Sequence, residues 1–427
     1  MRLAARLNCP ANQGLAMPCN APRATDYMRR YGLDAIIATA PVNITYFTGY
    51  YCWLDGQFKE FMVSPGGGGD LLPAFALYPL QGRPGLTVSA LIAVNALGLP
   101  VDLCPWGDGR FEWGKAADTD LEQQDLLAQL RDCEAATAVE ALALLVRRKG
   151  LAHGRLGLEM EGMPPALLAA VKAALPGAQL VDCSNMIRLI RMVKSPGEIA
   201  LMEGAARIGE QAAAAALMQA RPGVRLRDMQ QRFGAQVGLL GAEVDHFAYG
   251  IRGLGLGTEP DYSLVEGDAL YIDYGCLYRN YCSDSGLTLA LGGLDDEWAG
   301  KYRALYECMQ AGRAVLQVGQ KASDAPQAMW AVLAGHGIAA SFPHGHGVGL
   351  EVRDYPILVE ANGRRIVDDC VDEAADLPLE ADMVLNLEAM IFAPGRASVH
   401  IEQSFVVEEG GNRPLVAQDR EQPVIPG

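Results

Sequence analysis

A hairpin-like stretch between residues 270 and 284 constrains the fold more than any other part of this sequence. Its letters are LYIDYGCLYRNYCSD, in which apolar and aromatic residues alternate up to Arg279-Asn280, a pair that can form a turn. An alternating pattern resumes over residues 283–291. We therefore predict two neighbouring strands that place Asp273 and Asp284 face to face. Two close carboxylates repel each other unless a proton or a cation lies between them.

Three later segments offer further groups of the same kind. The segment GHGVG holds His346 among glycines, where the backbone can approach another strand or a ligand closely. The segments VLNLE and SVHIE end in Glu388 and Glu402, each on one face of a predicted strand. With the two aspartates, the set contains four carboxylates and one imidazole, which suits Mn, Fe, Co or Zn. Because two divalent ions would balance four negative charges, the set predicts a dinuclear metal centre.

These residues also carry a resemblance to a known family. Their order, within the motifs IDYG, SD, GHGVGLE, LNLEAM and HIEQ, resembles the creatinase/aminopeptidase P/prolidase superfamily of "pita-bread" metallopeptidases. Residues 192–199 (MVKSPGEI) resemble the entry helix of its catalytic domain, and residues 41–49 (PVNITYFTG) resemble its N-terminal domain. The resemblance implies an α/β creatinase-type N-terminal domain and an α+β pita-bread catalytic domain. We place a lead-in at residues 1–23 and the two domains at residues 24–185 and 186–427.

Local patterns agree with this division of the chain. We predict a helix over residues 24–31, strands over 33–39 and 43–53, and a continuing alternation of helices and strands to residue 174, which favours a mostly parallel sheet. The segment Ser195-Pro-Gly-Glu198 predicts a capping box that starts a long Ala-rich helix. A further helix pair is predicted over residues 297–318 and 323–336.

The resemblance implies a role for each predicted ligand. Asp273, Asp284 and Glu402 would hold one ion. The second ion would be held by Asp284, His346, Glu388 and Glu402. The two ions, Mn, Co, Fe or Zn, would share a water or hydroxide that serves as the nucleophile. Glu388 would then move the proton.

Three histidines that such peptidases use around their metals are missing here. Leu256, Phe342 and Arg353 stand at the corresponding positions, and His400 stands where the family often has arginine. The metal centre is therefore predicted to be kept while the substrate pocket is rebuilt.

The residues around these positions supply the candidates for that pocket. We assign catalytic roles to Glu388, His344 and Arg353. We assign substrate binding to Arg353, Asp354, His246 and Trp53, since a guanidinium can bind a substrate carboxylate through two parallel hydrogen bonds.

The resulting hypothesis is a metal-dependent hydrolase, similar to Xaa-Pro dipeptidase and aminopeptidase P, that cleaves an amide or peptide C–N bond in a small substrate. One alternative is a metal-dependent lyase that acts on a small carboxylate such as dimethylsulfoniopropionate. A creatinase-like amidinohydrolase and a binding protein without activity are two others. The resemblance also implies a homodimer.

Composition limits the partners and the compartment. The formal net charge of −16 and a pI near 4.9 provide no basic surface for nucleic acid or an anionic membrane. Ten scattered cysteines without a CxxC pair are typical of a reducing compartment, so we expect a cytoplasmic protein. No apolar run approaches the roughly 20 residues of a membrane span.

Overall fold

The computed structural model describes residues 19–51, 57–108, 111, 121–258, 261–418 and 420–426. The chain forms two compact units. The first ends at Ile190 and includes Val367–Val371; the second comprises Arg191–Ile366 and Asp372–Gly427. The division thus lies five residues after the position expected from the sequence.

The first unit is an α/β layer structure. Its helices are α1 (Ala21–Arg30), α2 (Pro41–Thr48), α3 (Leu121–Arg131), α4 (Ala138–Arg148), α5 (Pro165–Ala174) and α6 (Ser184–Met192), the last of which runs past the division. Its strands are β1 (Ala35–Ala38), β2 (Phe75–Pro79), β3 (Gly85–Ser89), β4 (Asp102–Trp106), β5 (Arg155–Leu158) and β6 (Gln179–Asp182). The sheet order is β4-β3-β2-β1-β5-β6, and β2 is antiparallel to both of its neighbours, so the sheet is mixed. A buried apolar cluster lies between this sheet and α4.

The strand predicted at residues 43–53 is wrong where the structure describes it, because residues 41–48 form the helix α2. Pro41 starts this helix with its preset backbone angle, and Gly49 ends it in the left-handed conformation at φ 74°. Asn43 donates a 2.6 Å hydrogen bond to the buried carboxylate of Glu159. This contact joins residues 116 positions apart, and such contacts override the strand preference of the Thr, Ile and Tyr residues in this segment.

The second unit is α+β. Its helices are α7 (Pro196–Leu217), α8 (Leu226–Leu239), α9 (Asp296–Ala314) and α10 (Asp324–Gly335). Its strands are β7 (Glu243–Tyr249), β8 (Ala269–Tyr278), β9 (Tyr281–Cys282), β10 (Ser285–Ala290), β11 (His344–Gly347), β12 (Asp354–Leu358), β13 (Arg365–Val367), β14 (Asp372–Ala374), β15 (Val384–Ala393), β16 (Ala397–Glu408) and β17 (Gly411–Pro414).

The large sheet of this unit has the order β12-β11-β15-β16-β10-β8-β7, in which every neighbouring pair is antiparallel. Helices α7 and α8 pack on β7 and β8, and α9 packs on β15 and β16. The predicted capping box at the start of α7 is confirmed: Ser195 and Glu198 exchange both hydrogen bonds. Among the described residues, no helix is both long and apolar enough to cross a bilayer.

Candidate metal centre

Strand register places the acidic side chains along one line across the large sheet. His344 on β11 pairs with Glu388 on β15, and Glu388 pairs with Glu402 on β16. Glu402 in turn lies opposite Gly286, which pairs with Asp273 on β8. Directly paired residues project to the same face of a sheet. Groups that are 14 to 129 positions apart in the sequence therefore converge on one surface.

The other two predicted ligands, His346 and Asp284, project to the same face of the sheet, because side chains two residues apart along a strand point to the same side. His346 lies two residues after His344, and Asp284 lies two residues before Gly286. In space, His346 Nε2 is 3.4 Å from Asp284 Oδ2. The turn predicted at Arg279-Asn280 is present, with positive φ angles of 50° and 74°. It returns the chain so that Asp284 lies beside β8.

Two groups of three potential ligand atoms involve Asp284. Asp284, His346 and Glu402 form one group, and His246, Asp273 and Asp284 form the other. In the second group, His246 Nε2 is 2.8 Å from Asp273 Oδ1 and 3.4 Å from Asp284 Oδ1. Its other ring nitrogen is 2.7 Å from the carboxylate of Asp245. His246 thus lies against the acidic pair.

Burial and charge make this cluster costly without a cation. Glu402 is fully buried, and burial together with the nearby Asp284, Asp273 and Glu388 raises the pKa of its carboxyl well above the usual value. Glu402 Oε1 accepts a 2.6 Å hydrogen bond from Asn386, whereas its Oε2 atom has no hydrogen-bond partner among the described residues.

His346 provides a second buried atom that lacks a partner. Its Nδ1–H donates to the carbonyl of Gly347 at 3.0 Å, and its Nε2 is buried without a hydrogen bond. Burial lowers the pKa of this imidazole, which favours the neutral form that binds metals. A carboxylate oxygen and an imidazole nitrogen that lack partners among the described residues, within one cluster of acidic groups, fit a divalent cation well.

Glu388 lies between this cluster and a histidine–arginine pair. Its Oε1 atom is 2.6 Å from His344 Nε2 and accepts a 2.8 Å hydrogen bond from Arg353. A separation of 2.6 Å between a ring nitrogen and a carboxylate oxygen requires a hydrogen between them. Burial alone would raise the pKa of Glu388, but its contact with His344 helps to bring it below the usual value. Arg353 keeps more than half of its side chain exposed, at 55%.

Asp354, one of the residues assigned to the substrate pocket, lies in a different environment from the one expected. Asp354 is buried and forms ion pairs with Arg191 at 3.1 Å and Lys194 at 3.7 Å, so its carboxylate is not available to a substrate. Arg353 and Asp354 are adjacent in sequence, yet they contact different groups. Trp53 lies outside the described residues.

Other residues of the cluster were not assigned a role from the sequence. Tyr271 donates a 2.9 Å hydrogen bond to Asp273, and His400 stacks on the Tyr271 ring at 3.9 Å. Each lies two residues before a predicted ligand on the same strand. The period of two was therefore a signal that could have identified both.

Residues 200–409 match the model of metallopeptidase family M24, and residues 110–193 match that of the creatinase/prolidase N-terminal domain. The Xaa-Pro dipeptidase of Pyrococcus horikoshii is 27% identical over 62% of this chain and 74% of its own length. A probable dipeptidase PepE of Mycobacterium bovis is 29% identical over 90% of this chain and 93% of its own.

Solved structures extend the likeness to the fold. The crystal structure of X-Pro aminopeptidase from Thermotoga maritima matches with a TM-score of 0.71 and 20% identity, over 95% of this chain and 99% of that one. At this level of identity the match concerns architecture.

Proposed function

This chain belongs to metallopeptidase family M24 within the creatinase/prolidase superfamily, and from that premise we propose that it is a dinuclear hydrolase that cleaves the C–N bond of a small, dipeptide-like substrate with a free carboxylate. The family confirms the fold predicted from the sequence, a creatinase-type domain followed by a pita-bread catalytic domain. It also implies divalent metal ions. The observation that supports the specific proposal is the contact of Glu388 with both His344 and the half-exposed Arg353.

The proposed ligands are those expected from the family pattern. Asp273, Asp284 and Glu402 would hold one ion, and Asp284, His346, Glu388 and Glu402 would hold the other. When bound, such ions polarise a carbonyl oxygen and lower the pKa of water, which is the chemistry that amide hydrolysis needs. Mn, Co, Fe and Zn are all compatible with this donor set.

The chain's own groups would handle the proton. Because His344 Nε2 and Glu388 Oε1 share a hydrogen, this pair can accept a proton from the attacking water and donate it to the leaving nitrogen. Arg353 stabilises the ionised carboxylate of Glu388 with one amino group, Nη2. Because its side chain is 55% exposed, Arg353 can also bind a substrate carboxylate.

An aromatic side chain borders the same site. Phe342 is 57% exposed, and its ring centroid lies 4.4 Å from that of His344. An apolar side chain or a proline ring of the substrate would pack on this face while Arg353 binds the carboxylate. This arrangement favours small apolar dipeptides as substrates.

The lyase alternative would need a carboxylate or a tyrosine next to the metals as the base, and Tyr271 contacts the acidic cluster through Asp273. Burial raises the pKa of the Tyr271 phenol far above its usual value, and its hydroxyl donates to Asp273. In the metal-free protein a phenol in this state stays protonated, so bound cations would have to lower its pKa before it could serve as a base. Hydrolysis is the better-supported reaction because the chain belongs to a metallopeptidase family.

A substrate panel tests the proposal. Purified protein would be loaded with Mn²⁺, Co²⁺, Fe²⁺ or Zn²⁺ and given Xaa-Pro and other apolar dipeptides, creatine and dimethylsulfoniopropionate. We expect hydrolysis of dipeptides and loss of that activity with a chelator. Formation of an alkene product or urea would favour the lyase or the amidinohydrolase instead, and no cleavage of any C–N bond would overturn the proposal.

The role of Arg353 has its own test. We expect Arg353→Met to lower kcat/KM about 10- to 100-fold on free dipeptides, since a charge-assisted hydrogen bond contributes about 1.5–3 kcal/mol. The loss should be clearly smaller on dipeptides whose C-terminus is amidated, because there the variant removes only the contact of Arg353 with Glu388. Arg364→Met, which removes an exposed arginine, is the control. An equal loss on both substrates would mean that Arg353 acts through Glu388 and not on the substrate.

The expected homodimer and cytoplasmic location stay predictions. Sedimentation equilibrium of the full chain would test the first, and the location of a tagged protein would test the second.

A further inference from the structure

We propose that His400 is an additional metal ligand, which binds through Nε2 the ion held by Glu388 and Glu402. The inference rests on the proposed metal site and adds an imidazole to the five ligands of the family pattern. Its basis is a third group of potential ligand atoms, from Glu388, His400 and Glu402, in which all three residues are buried.

The ring of His400 is held in one orientation. Its Nδ1–H donates to the carbonyl of Ile272 at 3.3 Å, and its face stacks on Tyr271 with the ring planes 18° apart. Across the sheet, Gly286 leaves space for the ring, since a Cβ atom at this position would overlap His400. In the neutral ring these contacts place the hydrogen on Nδ1, so that Nε2 presents a lone pair.

The Nε2 atom lies near two carboxylates and has no hydrogen-bond partner among the described residues. His400 Nε2 is 3.8 Å from Glu388 Oε2 and 3.7 Å from Glu402 Oε2, and it is one of the buried polar atoms without a hydrogen bond among the described residues. Both separations are too long for a hydrogen bond. They match the roughly 3–4 Å between two ligand atoms of one ion whose metal–ligand bonds are about 2.0–2.2 Å.

His346 shows the same arrangement. Both imidazoles donate Nδ1–H to a backbone carbonyl, and both bury an Nε2 atom that lacks a partner. Ligating histidines usually donate their second nitrogen in this way. His344 differs, because its Nε2 contacts Glu388 directly at 2.6 Å. The geometry therefore groups His400 with the predicted ligand His346.

Cobalt binding by the full-length protein tests the inference. The measurements are the dissociation constant, by competition with a chromophoric chelator, and the visible absorption spectrum of bound Co²⁺. We expect His400→Gln to weaken the binding of one ion at least 10-fold and to change the spectrum. His336→Gln is the matched control. His336 is exposed, and its partner in the hydrogen bonds described is Glu307. This variant should leave both the dissociation constant and the spectrum unchanged.

A second measurement covers the case in which His400→Gln does not fold. Anomalous diffraction from cobalt-loaded wild-type crystals would locate the ions directly. A peak within about 2.3 Å of His400 Nε2 supports the inference. A peak beyond 3 Å, or unchanged affinity and spectrum in a folded His400→Gln, overturns it and leaves the five-residue site intact. A wild-type protein that binds no cobalt would overturn the metal site and this inference together.

Discussion

Replacing Glu402 with glutamine is expected to abolish hydrolysis while making the metal-free protein more stable. Glu402 is fully buried beside Asp284, Asp273 and Glu388, and this environment raises the pKa of its carboxyl. In the metal-free protein near neutral pH, folding must keep the carboxyl protonated or hold its charge next to the others. Glutamine removes that cost and keeps the shape of the side chain. We expect a gain of about 1–3 kcal/mol in the free energy of unfolding in a chelator.

The pH dependence of this stability difference follows from the direction in which the pKa of Glu402 is shifted. A carboxyl whose pKa is raised in the folded protein holds a proton that the unfolded chain releases, so its stability cost appears above the unfolded pKa and grows with pH. The advantage of Glu402→Gln in the chelator should therefore be largest at neutral to alkaline pH. It should disappear as the pH falls below the usual range of a glutamate carboxyl.

At a saturating metal concentration the wild type should be more stable than Glu402→Gln. The wild type should gain about 4 kcal/mol when the free ion is present at 1,000 times its Kd. The variant would lack a ligand that the proposed site shares between both ions, and should gain much less. We expect kcat/KM to fall at least about 1,000-fold. Thermal unfolding with and without chelator, the bound metal per chain and the rate on a dipeptide measure the three effects.

Glu408→Gln is the control for this experiment, because Glu408 is the exposed last residue of the same strand and pairs with Arg413 at the surface. It should change none of the three quantities. Loss of stability in Glu402→Gln both with and without metal would indicate a structural hydrogen-bond acceptor and would contradict the metal site.

The alternation of side chains along each strand, which repeats every two residues, made much of the site predictable. Glu388 and Glu402 lie on adjacent strands that pair in register, and the turn at Arg279-Asn280 brings Asp284 beside Asp273, as the alternation predicted. Each of these inferences used information within about fifteen residues. Their roles as ligands stay a prediction, whereas their convergence is a property of the structure.

Features that depend on contacts between residues far apart in the sequence could not be predicted from local patterns. The segment around Asn43 reads as a strand by composition, but it is a helix whose Asn43 binds Glu159. Arg353 and Asp354 look like one ion pair because they are adjacent. Arg191 lies 163 positions away from Asp354, and a partner at that distance has no local signal in the sequence.

Asp354 also yields the largest expected effect on stability. Its buried carboxylate is 3.1 Å from the Arg191 guanidinium and 3.7 Å from the Lys194 ammonium, and all three side chains are at most 3% exposed. Asp354→Asn would remove the buried counter-charge that Arg191 and Lys194 share, and would leave Arg191 only weakly compensated by its half-exposed partner Glu351. Breaking a buried ion pair in this way costs about 3–5 kcal/mol. We expect a decrease of that size in the free energy of unfolding at pH 7, measured by urea denaturation.

The pH dependence and a control separate this structural role from substrate binding. Burial alone would raise the pKa of Asp354, but Arg191 and Lys194 lower it overall, so its contribution is present above the unfolded pKa and is lost as the pH falls through the lower folded value. Glu351→Gln removes a half-exposed partner of the same Arg191 and should cost less than about 1 kcal/mol. The folded fraction of Asp354→Asn should keep the wild-type KM. A raised KM with unchanged stability would instead restore Asp354 to the substrate pocket.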